Sequence, residues 1–67
     1  MKVREVLGRS DYALITELIP QASRVLDLGC GDGALLAVLQ ATKGVEARGI
    51  ELKPELVQAA VARGVPV

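Results

Sequence analysis

Apolar and polar residues follow two different periods along this chain, and together they predict alternating helices and strands. Apolar residues at helical spacing predict helices over residues 11–19, 34–42 and 54–63. Short apolar runs between them predict strands over residues 24–28 and 46–51. A helix between two strands is typical of the crossover that joins parallel strands. The pattern therefore predicts an α/β fold, a Rossmann-like doubly wound parallel sheet of which only the first βαβα portion is present.

Prolines and glycines mark the ends of the predicted helices. Pro20 follows the first helix and disfavours helical backbone at the residue before it. Gly44 comes directly after the second helix and its Lys43, and Gly64 follows the third; both are typical of a helix end. Pro54 occupies a favourable first position of the third helix. These signals support the same element order as the hydrophobic pattern.

The two ends of the chain predict an incomplete sheet. Residues 1–9 carry little pattern and are interpreted as a lead-in segment, whereas Val65, Pro66 and Val67 resemble the first residues of a third strand. Two complete strands leave open edges, which are prone to pair with another chain. We therefore expect residues 1–67 to be the N-terminal, cofactor-binding portion of a single domain. We expect the isolated chain to be partly unfolded or to self-associate through its sheet edges.

Composition narrows the class of protein. Of the 67 residues, 51% are hydrophobic but only Tyr12 is aromatic, so the interior is predicted to be aliphatic, as in parallel sheets. Eight basic residues balance eight acidic ones without a same-sign run, which argues against a nucleic-acid or membrane-surface partner. Cys30 is the only cysteine, and neither a signal peptide nor a membrane-spanning stretch is recognisable. A cytoplasmic protein is expected.

The chemistry concentrates in residues 29–33, here called the glycine loop. Gly29, Gly31 and Gly33 follow the first strand and precede a helix, as in nucleotide sites of open α/β sheets. Such a loop lets a ligand approach the backbone. Cys30 and Asp32, between the glycines, are candidate cofactor-binding residues. The competing interpretations are a small packing residue for Cys30 and a solvated carboxylate for Asp32.

The spacing of the glycine loop admits two cofactors. With Ala34 as its last position the loop fits the dinucleotide fingerprint, whereas with Gly33 it fits the Gly-x-Gly-x-Gly loop that binds S-adenosylmethionine. Asp27 and Asp32 add carboxylates on either side of the first glycines. Carboxylates repel a pyrophosphate but attract the sulfonium and ammonium groups of S-adenosylmethionine. The charge pattern therefore favours S-adenosylmethionine over NAD(P).

Glu51 is the second anchor of the predicted site. It ends the second predicted strand, 22 positions after Gly29, where a carboxylate accepts hydrogen bonds from ribose hydroxyls in either cofactor. Leu52 follows it and is expected to pack against the adenine face. No residue stands out as a general base, and methyl transfer from a sulfonium mainly requires alignment of the reactants.

The run from Val25 to Gly33, followed by Gly49-Ile50-Glu51, resembles class I S-adenosylmethionine-dependent methyltransferases. Within that class the chain is similar to the MetW family of methionine biosynthesis. The similarity also includes Arg9-Ser10-Asp11, Leu18-Ile19-Pro20, Ser23 to Arg24, Leu35-Leu36 and Arg63-Gly64-Val65. It extends over nearly the whole chain.

The resemblance implies a doubly wound sheet of seven strands and S-adenosylmethionine as cofactor. It further implies that Asp27, Gly29 and Gly31 line the methionine end of the cofactor and Glu51 its ribose. Lys53 stands where the family often has aspartate. The family's association with homoserine acyltransferases implies an alternative role, a non-catalytic cofactor sensor that regulates such an enzyme. An NAD(P)-binding Rossmann fragment is the other alternative.

Overall fold

The computed structural model of this chain describes residues 10–67, and within them the predicted order of helices and parallel strands is confirmed. The predicted lead-in segment, residues 1–9, lies outside the described residues. The helices have nine or ten residues, and no helix in the described part is long and apolar enough to cross a membrane. The elements are α1 (Ser10–Leu18), β1 (Arg24–Leu28), α2 (Ala34–Lys43), β2 (Glu46–Ile50) and α3 (Pro54–Ala62).

Several element ends differ from the prediction by one residue. Helix α1 begins one residue early, at Ser10, and ends one residue early, at Leu18; the early end follows because Pro20 disfavours helical backbone at Ile19. Helix α2 continues through Lys43, because the N–H of Gly44 still donates to the Gln40 carbonyl at 3.2 Å. Strand β2 stops before Glu51, whose side chain accepts N–H groups of the following turn.

The end of α3 corrects the prediction that this helix includes Arg63. Gly64 adopts a left-handed conformation with φ of 83°, and its N–H donates to the Val61 carbonyl at 2.9 Å. The N–H of Val65 donates to the Ala60 carbonyl at 3.1 Å. These two bonds form a Schellman motif, in which a glycine just past the helix satisfies its last carbonyls. The helix therefore ends at Ala62, and Val65 packs back into the core.

The two strands lie in parallel register, from Arg24 beside Glu46 to Leu28 beside Ile50. Their carboxyl ends therefore meet at one edge of the sheet, where open α/β sheets bind ligands. One face of the sheet, with Ala47 and Gly49, is buried against a core of aliphatic residues. That core consists of Cys30, Leu35, Leu36, Leu39, Val45, Ala47, Ala60 and Val65.

The predicted beginning of a third strand lies beside β2. The Gly49 N–H donates to the Pro66 carbonyl at 2.8 Å, on the edge of β2 away from β1. Among the described residues, only β1 and β2 form a ladder of backbone hydrogen bonds. Residues 65–67 lie beside β2 but are not a strand. The position agrees with a sheet that extends outward from β2.

The opposite sheet face is exposed. Its apolar side chains, Leu26, Leu28 and Ile50, are at least half exposed to solvent. Between residues 10 and 67, β1 pairs along one edge only. An exposed apolar face beside an unpaired strand edge is prone to association. This face is the physical basis of the expected self-association.

We expect the isolated 67-residue chain to associate in a concentration-dependent way, and Leu28→Lys to shift it toward monomer because it places a charge on this face. Size-exclusion chromatography with light scattering, combined with circular dichroism, measures both. Val61→Lys, a matched change at an exposed position of α3, is the control. A monomer with a cooperative thermal transition at every concentration would contradict the expectation.

Candidate functional site

The glycine loop turns the chain from β1 into α2 through three left-handed residues. The φ angles of Gly29, Gly31 and Gly33 are 72°, 61° and 79°. Residues with a Cβ rarely adopt such angles. Gly33 also borders Ala60: a Cβ added at Gly33 would lie 2.9 Å from the Ala60 Cβ. The loop therefore needs glycine at position 33 both for its backbone angle and for the approach of α3.

Four backbone amides of the loop donate to acceptors within the protein. The N–H groups of Gly29 and Cys30 share the Ile50 carbonyl, at 2.7 and 3.1 Å. The Gly33 N–H donates to the Cys30 carbonyl at 3.1 Å, and the Gly31 N–H donates to Glu51 Oε1 at 2.9 Å. Two of these acceptors are the last residue of β2, Ile50, and the residue directly after it, Glu51. Hydrogen bonds thus connect the glycine loop to the carboxyl end of β2.

Glu51 lies immediately beyond β2 and is half-buried. While its Oε1 accepts the Gly31 N–H, its Oε2 accepts the N–H groups of Leu52 and Lys53, at 3.0 and 3.1 Å. The predicted second anchor therefore lies against the glycine loop. The parallel register of β1 and β2 brings these two segments together.

A hollow of about 400 Å³ opens at this edge of the sheet. Cofactor pockets have volumes of ~300–1,000 Å³. Leu52 is 92% exposed, so its side chain presents an apolar surface at the hollow. Two other hollows of similar size lie at the amino ends of the strands and between α1 and α2. The hollow at the carboxyl ends is favoured as the ligand site, because parallel sheets bind ligands there. Its lining residues are Gly29, Ile50, Glu51, Leu52 and Lys53.

Asp32 is held by contacts at both carboxylate oxygens. Its Oδ1 accepts the Ala34 N–H at 3.1 Å, which satisfies one of the first amides of α2. Its Oδ2 accepts a hydrogen bond from an Arg63 guanidinium N–H at 3.3 Å. Both side chains are partly exposed, so this pair contributes little to stability. The arrangement neutralises part of the negative charge on the loop.

Asp27, which precedes the loop, and Cys30, which is part of it, differ in accessibility. Asp27 is half-buried and pairs in register with Gly49 of β2. Cys30 as a whole residue is only 1% exposed and lies in the core. A Cβ added at Gly49 would lie 2.5 Å from the Cys30 Sγ, so the thiol packs directly against this strand.

The structure brings part of the predicted site together. Gly29, Glu51 and Leu52 line the hollow at the carboxyl ends of the strands, and the Gly31 N–H donates a hydrogen bond to Glu51. The predicted residues that do not line this hollow are Asp27, Cys30, Gly31, Asp32 and Gly33. Sequence reasoning did not assign Ile50 or Lys53 to the hollow, although both are neighbours of Glu51. It also missed the contact of Arg63 with Asp32, for which a separation of 31 positions offers no sequence signal.

Comparison with known proteins gives a family match over most of the chain. Residues 9–67 match the sequence model of the family described as methionine biosynthesis protein MetW. The matched segment contains β1, the glycine loop, β2 and Glu51. Every residue discussed for the hollow therefore lies within the matched region.

Two kinds of curated relatives are similar to this chain. A bifunctional methionine biosynthesis protein MetXA/MetW from Rhodopirellula baltica is 38% identical over 65 residues, covering 85% of this chain and 10% of the relative. A ubiquinone biosynthesis O-methyltransferase from Xanthomonas campestris pv. campestris is 46% identical over 52 residues, covering 78% of this chain and 21% of the relative. The chain thus spans about a tenth to a fifth of the length of these relatives.

Proposed function

We propose that this chain, which belongs to the methionine biosynthesis protein MetW family, binds S-adenosylmethionine as part of a methyltransferase-like protein. The relative named as an O-methyltransferase supports this chemistry. The observation that carries the proposal is the position of Glu51, at the hollow and bonded to the glycine loop. A carboxylate there is suited to accept hydrogen bonds from ribose hydroxyls.

The hydrogen bonds of the loop favour S-adenosylmethionine over a dinucleotide. A dinucleotide site binds pyrophosphate with backbone N–H groups at the start of the helix. Here five amides, four in the loop and one at the first residue of α2, donate to protein acceptors instead, and two of those acceptors are carboxylates. These amides are the N–H groups of Gly29, Cys30, Gly31, Gly33 and Ala34.

Charge points in the same direction. Asp27, Asp32 and Glu51 lie in or beside the loop, and Arg63 neutralises part of the charge on Asp32. Unit charges ~4 Å apart at an effective dielectric constant of ~20 interact by about 4 kcal/mol. Such carboxylates oppose a pyrophosphate and attract a sulfonium or an ammonium group. The electrostatic environment therefore favours a cationic ligand.

The proposed roles of the side chains are binding and orientation. S-adenosylmethionine supplies a methyl group made electrophilic by its sulfonium, so the protein mainly aligns the reactants. Glu51 would accept the ribose hydroxyls, Leu52 would cover the adenine, and Asp27 would attract the positively charged methionine end. Gly29, Cys30, Gly31, Asp32 and Gly33 would form the adjoining loop. No residue of this chain is assigned to binding of the methyl acceptor. Separately, a cytoplasmic location is proposed from the biosynthetic role.

The decisive experiment compares S-adenosylhomocysteine and NAD as ligands of wild-type protein and Asp27→Asn. We expect S-adenosylhomocysteine to stabilise the wild type, by ~2.7 kcal/mol at a hundredfold excess over its Kd. NAD should produce no stabilisation. Asp27→Asn should weaken binding about tenfold, equivalent to ~1.4 kcal/mol, because it removes a charge that attracts the ligand. Thermal shift and calorimetry in the protein that contains this chain provide the measurement.

Glu17→Gln removes a charge from an exposed position of α1 and is the matched control. It should bind S-adenosylhomocysteine like the wild type. Stabilisation by NAD alone, retained in Asp27→Asn, would overturn the assignment and favour the NAD(P)-binding alternative.

A second candidate role is a non-catalytic cofactor sensor that regulates a homoserine acyltransferase. The relative named MetXA/MetW favours it, because that protein joins a MetW-like part to a second part in one chain. Both roles use the same cofactor site. If the protein associates with an acyltransferase only when S-adenosylhomocysteine is present, and no methyl transfer is detected, the sensor role is favoured. Methyl transfer to an acceptor would favour the enzyme.

A further inference from the structure

The Glu51 carboxylate connects two segments that are distant in the sequence. Its Oε2 bonds to the N–H groups of Leu52 and Lys53, directly after β2. Its Oε1 bonds to the Gly31 N–H, 20 positions earlier in the chain. A single side chain therefore spans the turn after β2 and the middle of the glycine loop.

An additional hydrogen bond has its largest effect in the middle of the glycine loop. The Ile50 carbonyl holds the start of the loop at Gly29, and the contact with Ala60 holds its end at Gly33. Gly31 lies between these two points, and glycine loses more conformational freedom on ordering than any other residue. The hydrogen bond from Gly31 to Glu51 orders this central residue.

We infer that Glu51 is a positioning residue that orders the glycine loop before a ligand arrives. This role adds to the ribose contact and rests on the proposed function only where ligand affinity is concerned. Ordering the loop in advance removes part of the entropic cost of binding. The loss of Glu51 should therefore weaken binding through a disordered loop as well as through a missing acceptor.

The bonding pattern also explains why the residue is an acid and not an amide. The three N–H donors approach both oxygens of the side chain, two at Oε2 and one at Oε1. Glutamine has one acceptor oxygen and one NH₂ group, which is itself a donor. In Glu51→Gln the NH₂ group would face either Gly31 or the turn, so one of the two segments would lose its acceptor. Glu51→Asp keeps both oxygens but shortens the reach by one methylene.

Amide hydrogen exchange measured by NMR without ligand tests the inference. In the protein that contains this chain, we expect Glu51→Ala and Glu51→Asp to accelerate exchange at Gly31 about ten- to a hundredfold, the range for a hydrogen bond to a charged acceptor. Glu51→Asp should retain protection at Lys53, because its carboxylate still reaches the local turn. Exchange at Leu36 and Leu39 in the core should stay unchanged in both variants.

Glu55→Gln removes a neighbouring charge in the first turn of α3 and should leave Gly31 exchange at the wild-type rate. A crystal structure of the ligand-free wild type tests the same contact without a substitution. Gly31 exchange within twofold of wild type in folded Glu51→Ala, or a Glu51 side chain turned away from Gly31 in the crystal, would overturn the inference.

Titration with S-adenosylhomocysteine separates this inference from the proposed function. We expect Glu51→Asp, with its faster exchange at Gly31, to bind about tenfold more weakly than the wild type. If Glu51→Asp binds as tightly as the wild type despite faster exchange at Gly31, loop order does not contribute to binding and that part of the inference is wrong. If wild type fails to bind but Gly31 exchange responds to the substitutions, the positioning role is supported and the proposed function is wrong.

Discussion

Replacing Gly33 with alanine is expected to destabilise the fold by about 2–5 kcal/mol, because a backbone cost and a steric cost add at this position. The φ of 79° at Gly33 costs a residue with a Cβ ~1–2 kcal/mol. The added Cβ would also lie 2.9 Å from the Ala60 Cβ and 3.1 Å from its Cα. Overpacking of this kind costs ~1–3 kcal/mol. Urea denaturation measures the loss of stability.

Gly44→Ala separates the two contributions. Gly44 also has a left-handed φ, of 59°, but a Cβ added there would meet no atom within 4 Å. This variant should therefore lose only the conformational part, about 1–2 kcal/mol. Equal losses of stability in Gly33→Ala and Gly44→Ala would show that α3 does not pack closely against the glycine loop.

Replacing Gly49 with alanine should cost about 1–3 kcal/mol, although no left-handed backbone angle is involved. The added Cβ would lie 2.5 Å from the Cys30 Sγ, 2.9 Å from the Cys30 Cβ and 3.3 Å from Leu36 Cδ1. Gly49 sits in β2 between the core and the base of the loop, so the overlap has little space in which to relax. The free energy of unfolding by urea denaturation measures this effect as well.

A double-mutant cycle with Cys30→Ala identifies the source of the strain. Removing the sulfur relieves the closest contact, so the double variant should be about 1 kcal/mol more stable than the sum of the single losses predicts. Additive losses would mean that the thiol does not pack against Gly49. Because the thiol is buried, the cycle also tests the interpretation of Cys30 as a packing residue.

Much of the architecture was predictable from local sequence patterns. Strand β1 has the predicted bounds, and the helices and β2 differ by at most one residue at either end. These elements follow from the spacing of apolar residues and from Pro20, Gly44, Pro54 and Gly64, which act within a few positions of themselves. The parallel arrangement follows as well, because a strand, helix and strand in succession favour a crossover.

The proximity of Glu51 to the glycine loop was also predictable. Three alternate glycines after a strand indicated a ligand loop, and Glu51 was expected near it because the carboxyl ends of parallel strands meet at one edge. The sequence pattern could not determine which atoms Glu51 contacts. Its bond to Gly31 depends on the register of β1 against β2, and register is set by how the two strands pack together.

Local sequence signals therefore account for the elements, their order and the position of the glycine loop, because turn chemistry and hydrophobic period act over neighbouring residues. Three contacts depend on how the elements pack in three dimensions: Ala60 against Gly33, Cys30 beside Gly49, and Arg63 with Asp32. These contacts join residues 19 or more positions apart in the chain. They arise from how preformed elements dock and exclude water, and no local propensity encodes that docking.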